Sequence, residues 1–426
     1  MKRFDYVILG NSAAAVGAVE SIRTIDPLGT LCVVSDENHH TYSRPRISDC
    51  ITRRASAESI AYRPSNFYKA HSVTSLLGVR AVSLSTKEST VSLASGESIG
   101  YDRLLLSTGA SPAKPPIPGI SHACVHHFTT FDDADVLARE VPATEDIIVI
   151  GGGLIGLQAA EALSKVGVNV TVIEMLDRVL ALAVDEYASS LIRSEFERHG
   201  VKIVTSTRVA EIGRNESSGV ASVVLGDGRE IPCQSVILAA GVTPRTELAA
   251  LAGIKVNRGI SVDDYMRTSA ENVYAAGDVA ETRELLSGEH RLIPIWPNAY
   301  MEGRIAGLSM AGRSVPYQGG LTMNAAHFFD FPVISSGVSQ AGEGYDNSIQ
   351  VNEHTGYYRR IILKKNVPVG MVMAGDAVDR SGLILSLIRN QTDCTSFLPE
   401  LADTGFNTAH LPQDLRRIKQ LGKERI

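Results

Sequence analysis

Tryptophan is almost missing from this 426-residue chain, which has Trp296 alone, and cysteine is scarce. The five cysteines (Cys32, Cys50, Cys124, Cys233 and Cys394) are scattered and odd in number. None forms a C-x-x-C pair or a metal-ligand spacing, which argues against a disulfide framework and against an iron–sulfur cluster held by this chain. It also points to a reducing compartment, the cytoplasm. No apolar run is long enough to span a membrane. A strong excess of either charge is missing too: the formal net charge of −6 gives no bulk electrostatic case for nucleic acid or membrane-surface binding. With 44% hydrophobic and 21% charged residues the chain can bury large cores, and its length predicts roughly two to four domains. The start, Lys2-Arg3 followed by YVILGNSAAAVGAV, has the outline of a signal peptide, but Asp5, Asn11 and Ser12 interrupt the apolar core. That segment makes better sense as a turn opening a helix.

What the chain does have is a stretch from Asp146 to Glu174 that reads strand, turn, helix, strand. The β-branched run Ile147–Ile150 ends on Gly151, Gly153 and Gly156, a G-x-G-x-x-G that opens a helical segment through Leu154 and Ile155. Gly151 permits the tight turn, Gly153 lets a pyrophosphate approach the backbone, and Gly156 lets helix and strand pack closely. The helix start presents free N–H groups and the positive end of its dipole to the phosphates. Glu174 ends the next strand about 20 positions on, where a carboxylate accepts hydrogen bonds from an adenosine ribose. No basic residue follows until Arg178, so NAD is expected over NADP.

The N-terminal segment is a weaker copy. Tyr6–Leu9 is a strand, the turn runs Gly10, Asn11, Ser12, Ala13, Ala14, Ala15, and Ala13–Thr24 is helical until Asp26-Pro27 stops it. Ser12 and Ala15 stand where further glycines would be, but the acidic pair Asp36-Glu37 follows the next strand, within reach of a ribose. After each turn comes the same succession: a small hairpin-bearing meander, then a strand ending in a glycine turn. These are YDRLLLSTGASP with Thr108-Gly109 and CQSVILAAGVTP with Gly241. The chain thus contains an internal repeat and two nucleotide-binding units. The Pro-rich Ser111–Gly119 and the segment after GVTPRTEL (Gly241–Leu248) read as hinge strands joining the copies. TSAENVYAAGDVA ends in Gly277-Asp278, and Trp296-Pro297 leads into a helix closed by Gly312. From about Gly319, aromatic and β-branched strands and a helix near LILSLIRN form an α+β segment with no nucleotide signature.

Through the Gly10–Ala15 turn, YSRP, LLLSTGASP, GGGLIG, AAGVTPRTEL and VYAAGDVAE, nearly the whole chain resembles the two-dinucleotide-binding-domain flavoproteins of the pyridine nucleotide–disulfide oxidoreductase superfamily. Within it, the rubredoxin reductase and nitrite reductase flavin-domain branch is most similar. The resemblance implies an α/β fold of two Rossmann-like three-layer nucleotide-binding domains plus a C-terminal α+β domain. FAD would occupy residues 1–111 and 249–318, NAD(H) a domain inserted at 112–248, and residues 319–426 would form the interface domain. It places Gly10, Ser12 and Ala15 under the FAD pyrophosphate and Glu37, with Asp36 as the alternative, on the adenosine ribose. Arg44 and Pro45 come against the flavin, Asp278 on the ribityl chain, and the Pro297 helix points its N-terminus at the flavin pyrimidine edge. Trp296 is equally a core residue or a flavin contact.

The departures carry information as well. Disulfide reductases of the superfamily have a C-x-x-x-x-C pair where this chain has only Cys50, so thiol chemistry is not expected, and a half-buried, unreactive Cys50 is the better reading. Related reductases carry a lysine and a glutamate meeting near flavin N5, where this chain has Asp49 and Gln158. Losing both ions together avoids one unpaired buried charge. No protein nucleophile is implied. Hydride passes between NAD(H) and FAD, and single electrons pass between FAD and an external carrier: an acidic iron–sulfur or rubredoxin-type protein, or an iron–sulfur subunit of a larger complex or oligomer. The cationic tail Leu411–Ile426, with Arg416, Arg417, Lys419, Lys423 and Arg425, is either a solvated helix end or a docking patch for that carrier. Two rivals remain: an NADH oxidase or peroxidase using Cys50, and a non-enzymatic flavin-fold interaction subunit.

Overall fold

The computed structural model describes residues 1–52, 55–214, 221–352, 356–401, 403, 405–413 and 416. Its first sheet forms because Tyr6–Leu9, Leu31–Ser35 and Leu104–Leu106 are apolar runs buried on both faces, as parallel strands must be. Lys2–Leu9 lies between Leu31–Ser35 and Ser98–Leu106, with Val73–Leu77 beyond, all parallel. The long Ser98–Leu106 strand is shared. Its first residues pair antiparallel with the meander strand Thr90–Leu93, and its last three pair in parallel with Val273–Ala275, from far along the chain.

A second parallel sheet is ordered Lys202–Val204, Asn169–Ile173, Asp146–Ile150, Ser235–Leu238, Val125–His126, with a three-stranded antiparallel sheet packed beside it. The two halves are therefore built alike, as the repeat predicts. Their connection falls in the two expected segments but uses only a few residues of each. Only Ala110–Pro112 and Val242–Pro244 pair, antiparallel, and Glu247–Leu251 is already a short helix. Pro115, Pro116 and Pro118 have no N–H to give to a ladder, so the Pro-rich run leaves the pair and lies along the small sheet, where Ile212 N–H donates to Pro118 O at 2.9 Å.

The last sheet is antiparallel, ordered Met323–Phe328, Phe331–Gly337, Val367–Ala374, Tyr357–Lys364, Asp346–Asn352. Ile361, Met371 and Met373 on one face pack against Ile384, Leu387 and Ile388 of the helix Ser381–Arg389. Its other face joins a core that runs through the second parallel domain to Tyr42, Ile47 and Cys50 of the first.

One helix pair holds the first domain shut. Ala13–Ile25 and Trp296–Met310 pack almost backbone to backbone, with Gly303 against Ala14 and Gly307 against Ala18. A Cβ at either glycine would overlap the facing carbonyl oxygen. Small residues at four-residue spacing are what permits this approach. No helix among the described residues is long and apolar enough to cross a membrane.

Candidate functional site

The first turn is constrained by Gly10. Its φ of +122° and the Ser107 carbonyl oxygen beside it leave no room for a Cβ. Ser12 stands at the N-cap of the Ala13–Ile25 helix without a side-chain capping bond, so among the described residues no side chain caps the first helical N–H groups. Beside this helix start lies a cleft lined by Asn11, Ser12, Ser35, Glu37, His39, Tyr42 and Arg44. Of the acidic pair only Glu37 faces it. Glu37 pairs with the Arg44 guanidinium through one oxygen and accepts from Tyr42 OH at 2.5 Å through the other. A carboxylate has about four lone-pair sites, so it retains capacity for ribose hydroxyls. Asp36 is turned to the hinge, where Arg245 Nη1 lies 3.2 Å from its Oδ2. Arg44 also donates to Thr129 O at 2.8 Å, and Phe131 N–H donates to Tyr42 OH at 3.1 Å, so segments from both halves of the chain meet over the cleft. Pro45 lies in the middle of the short helical turn Arg44–Arg46.

Thr108 and Gly109 serve the hinge: Thr108 Oγ1 donates to Arg245 O and Arg245 N–H to Gly109 O, each at 3.0 Å. Gly277 has a φ of +81° and turns the chain so that Asp278 is half-buried. Among the described residues no hydrogen bond reaches the Asp278 carboxylate. Burial pushes its carboxyl up, opposed by the Arg44 guanidinium. Pro297 lies in the first turn of the Trp296–Met310 helix, and Trp296 packs edge-on against Tyr62 at 5.0 Å, as a partly buried member of the core.

In the second turn Gly151 has a φ of +113°, and a Cβ on Gly156 would overlap the Gly151 carbonyl oxygen. Gly153, at the N-cap, faces open space, the room a phosphate group needs. Leu154 and Ile155 are half-buried in the first helical turn, and Gly241 stands at the end of the facing strand with a φ of +102° and open space before it. Glu174 closes this cradle. Its two oxygens accept from Gly152 N–H at 2.6 Å and Leu176 N–H at 2.8 Å.

The short helix Ser48–Ile51 packs against the Leu154–Lys165 helix, bringing Asp49 and Gln158 onto facing elements. Asp49 is paired with Arg46 at 3.0 Å, while Gln158 is half-buried with no hydrogen-bond partner among the described residues. Cys50 is buried, and that burial pushes its thiol up to about 11. Thiolate chemistry is thereby disfavoured at neutral pH. Of the cationic tail, Arg416 is exposed, whereas Arg417, Lys419, Lys423 and Arg425 lie outside the described residues.

Sequence reasoning missed Glu302. It reads as one more polar position of a helix, yet it is 2% exposed and accepts from Gly277 N–H at 2.8 Å and Thr282 OH at 2.9 Å. Small residues at four-residue spacing, Ala14 and Ala18 on one helix and Gly303 and Gly307 on the other, were the available signal that the two helices pack closely.

Residues 4–303 match the family model of the pyridine nucleotide-disulphide oxidoreductases. The chain belongs to that family. Residues 323–392 of this pyridine nucleotide-disulphide oxidoreductase match the rubredoxin NAD+ reductase C-terminal domain. Over 392 residues it is 34% identical to the NADH-dependent phenylglyoxylate dehydrogenase subunit epsilon of Aromatoleum evansii, covering 92% of each chain. It is likewise 34% identical over 312 residues to the rubredoxin-NAD(+) reductase of Pseudomonas putida, covering 73% of this chain and 80% of that one. Among solved structures, the ferredoxin reductase for the CYP199A2 system of Rhodopseudomonas palustris superposes with a TM-score of 0.82 at 28% identity, covering 90% of this chain and 95% of that one. The protein is an NAD(H)-dependent FAD oxidoreductase, with two dinucleotide-binding units and a C-terminal domain as expected.

Proposed function

We propose that FAD lies along the first cradle and NAD(H) along the second, and that the protein passes electrons between NAD(H) and an iron–sulfur or rubredoxin-type protein. The observation that carries this reading is the half-buried Asp278, without a hydrogen-bond partner among the described residues, set near Arg44 beside an uncapped helix start. A carboxylate in that position wants hydroxyl donors, and the ribityl chain of FAD supplies them. Gly10 and the N–H groups of Ala13, Ala14 and Ala15 cradle the diphosphate, with Ser12 small enough to let it approach. Glu37 takes the adenosine ribose, and Arg44 fixes Glu37 while offsetting Asp278. The Pro297 helix start points positive potential at the flavin. Thr108, Gly109 and Asp36 act one step away, through Arg245. In the second cradle, Gly151, Gly153, Leu154, Ile155 and Gly156 hold the NAD diphosphate, Glu174 the ribose, and Gly241 leaves room for the nicotinamide side. Gln158 offers its free amide to that side, and Asp49, tied to Arg46, leaves the flavin edge less cationic than a lysine there would.

Bound FAD supplies the chemistry, exchanging hydride with nicotinamide and single electrons with the partner, and the chain supplies alignment and electrostatics. The domains divide at 1–111 with 249–318, 112–248, and 319–426. The partner is acidic, or is an iron–sulfur subunit in a larger oxidoreductase complex. The second form is favoured by the likeness to the Aromatoleum subunit over 92% of each chain, against the shorter match to the rubredoxin reductase. A cytoplasmic setting suits five free thiols. Glu174 repels a ribose 2′-phosphate, so NADH is the preferred nucleotide. Steady-state kinetics test this: NADH should give the higher kcat/KM, and Glu174→Ala should narrow the preference through KM. Equal kcat/KM for NADPH in the wild type would refute the assignment. The complex is tested by affinity isolation from the native cell, expected to recover an iron–sulfur protein.

A further inference from the structure

Glu302 sits on the inner face of the Trp296–Met310 helix, one residue before Gly303, whose backbone presses against Ala14 in the first cradle. Its carboxylate is held by three uncharged donors, Gly277 N–H, Thr282 OH and Tyr317 OH, and no cation pairs with it among the described residues. Asp278, next to Gly277, is close enough to repel it. The cations that act on its neighbours are committed elsewhere. Arg44 faces Asp278 and pairs with Glu37, and Arg389 acts on Tyr317. The facing stretch of the first helix, Ala13–Ala18, has no ionisable side chain. Two carboxylates and the diphosphate of FAD would therefore share one small volume with a single, already shared guanidinium. That arrangement is costly if all of the acids ionise.

We infer that Glu302 is a positioning residue that holds a proton when FAD is bound, so that Asp278 alone carries the negative charge of the pair and meets the ribityl hydroxyls. Loss of the Glu302 proton at alkaline pH then loosens FAD. This rests on the assignment of FAD to the first cradle. In its protonated form Glu302 gives its O–H to one neighbouring acceptor and keeps the other oxygen on Gly277 N–H, so the turn is still held. Burial pushes the Glu302 carboxyl up to about 8, ahead of the contrary pull of its three donors. Repulsion from bound FAD raises it further, and each unit of that rise weakens FAD about tenfold once the pH exceeds both values.

The test is FAD dissociation from the holoenzyme, by dilution and flavin fluorescence, across pH 6.5 to 9.5. The wild type should weaken about tenfold over this range, whereas Glu302→Gln, a neutral isostere, should change less than about twofold. Tyr317→Phe removes a donor to the ionised form and should move the wild-type midpoint to higher pH. If Glu302→Gln weakens as steeply as the wild type, or if the Tyr317→Phe midpoint does not move, the inference is overturned. A wild type that binds no FAD at any pH would overturn the assignment of the cradle instead.

Discussion

Asp278 and Glu302 flank the same glycine, yet they do different work. Asp278→Ala removes a charge-assisted acceptor worth roughly 1.5–3 kcal/mol, so FAD affinity should fall by about one to two decades, read as flavin content after gel filtration. Full occupancy in that variant would contradict the role given to Asp278. Glu302 bears on the stability of the fold itself. Because burial raises its carboxyl to about 8, the folded chain keeps a proton that the unfolded chain gives up. Its contribution is whole below the ordinary carboxylate range and is lost as pH rises through about 8. Urea midpoints of the apoprotein should therefore decline more steeply between about pH 5 and 8 in the wild type than in Glu302→Gln. Cys50→Ser should leave NADH-to-dye activity intact, and peroxide-dependent NADH consumption abolished by this change would revive the thiol reading. The glycine turns and a carboxylate after the next strand were legible because a βαβ turn demands those residue types at fixed places, whereas Asp278 came from the family resemblance alone. Glu302 was not legible, since nothing in a helical pattern separates a buried acid from a solvated one. Nor did adjacency tell Asp36 from Glu37: which one faces the cleft depends on Arg245, more than 200 positions away.

At the scale of elements, the pairing of Ala13–Ile25 with Trp296–Met310 is the contact on which the first cradle depends. Gly303 lies on the Ala14 backbone, so Gly303→Leu must move one helix away from the other. Overpacking of this kind costs about 1–3 kcal/mol, and here it displaces Ala14, Gly277 and Asp278 together. The expected result is a lowered melting temperature and a chain that purifies without flavin, while nucleotide binding at the second cradle, followed by NADH fluorescence, persists. Flavin retention at wild-type level would show that the helices have slack. Both helices and both parallel sheets could be read from the sequence, because buried strands and glycine turns announce themselves locally. The hinge strands came out shorter than the segments that announced them, because proline-rich segments promise a connection without saying which residues pair.

Across the whole molecule the second domain is held from two sides. It joins the first through the paired hinge strands, the Asp36–Arg245 pair and the packing of Tyr42, Arg44 and the Ser48–Ile51 helix against it, and it shares a packed seam with the C-terminal sheet. There the buried Asp185 caps the Glu186–Arg198 helix through Ala188 N–H and accepts from Tyr358 OH at 2.5 Å and Arg360 Nη1 at 3.0 Å. His199 stacks on Phe329 at 3.7 Å, and Glu161 accepts Phe329 N–H at 2.7 Å. Asp185→Ala leaves Arg360 and Tyr358 without their partner and should cost about 3–5 kcal/mol, visible as a separate, earlier unfolding step. A single transition at the wild-type temperature would mean that the seam bears no such load. The shared strand Ser98–Leu106 also sets a timetable for synthesis. Its last pairing partner, Val273–Ala275, and the helix that closes the first cradle leave the ribosome only after the whole second domain has emerged. The nascent chain must therefore park an unfinished sheet with an open edge while a complete domain folds downstream of it. With FAD assigned to the first cradle, flavin capture must wait until translation has passed Met310, and the growing chain is most exposed to aggregation in the interval before that.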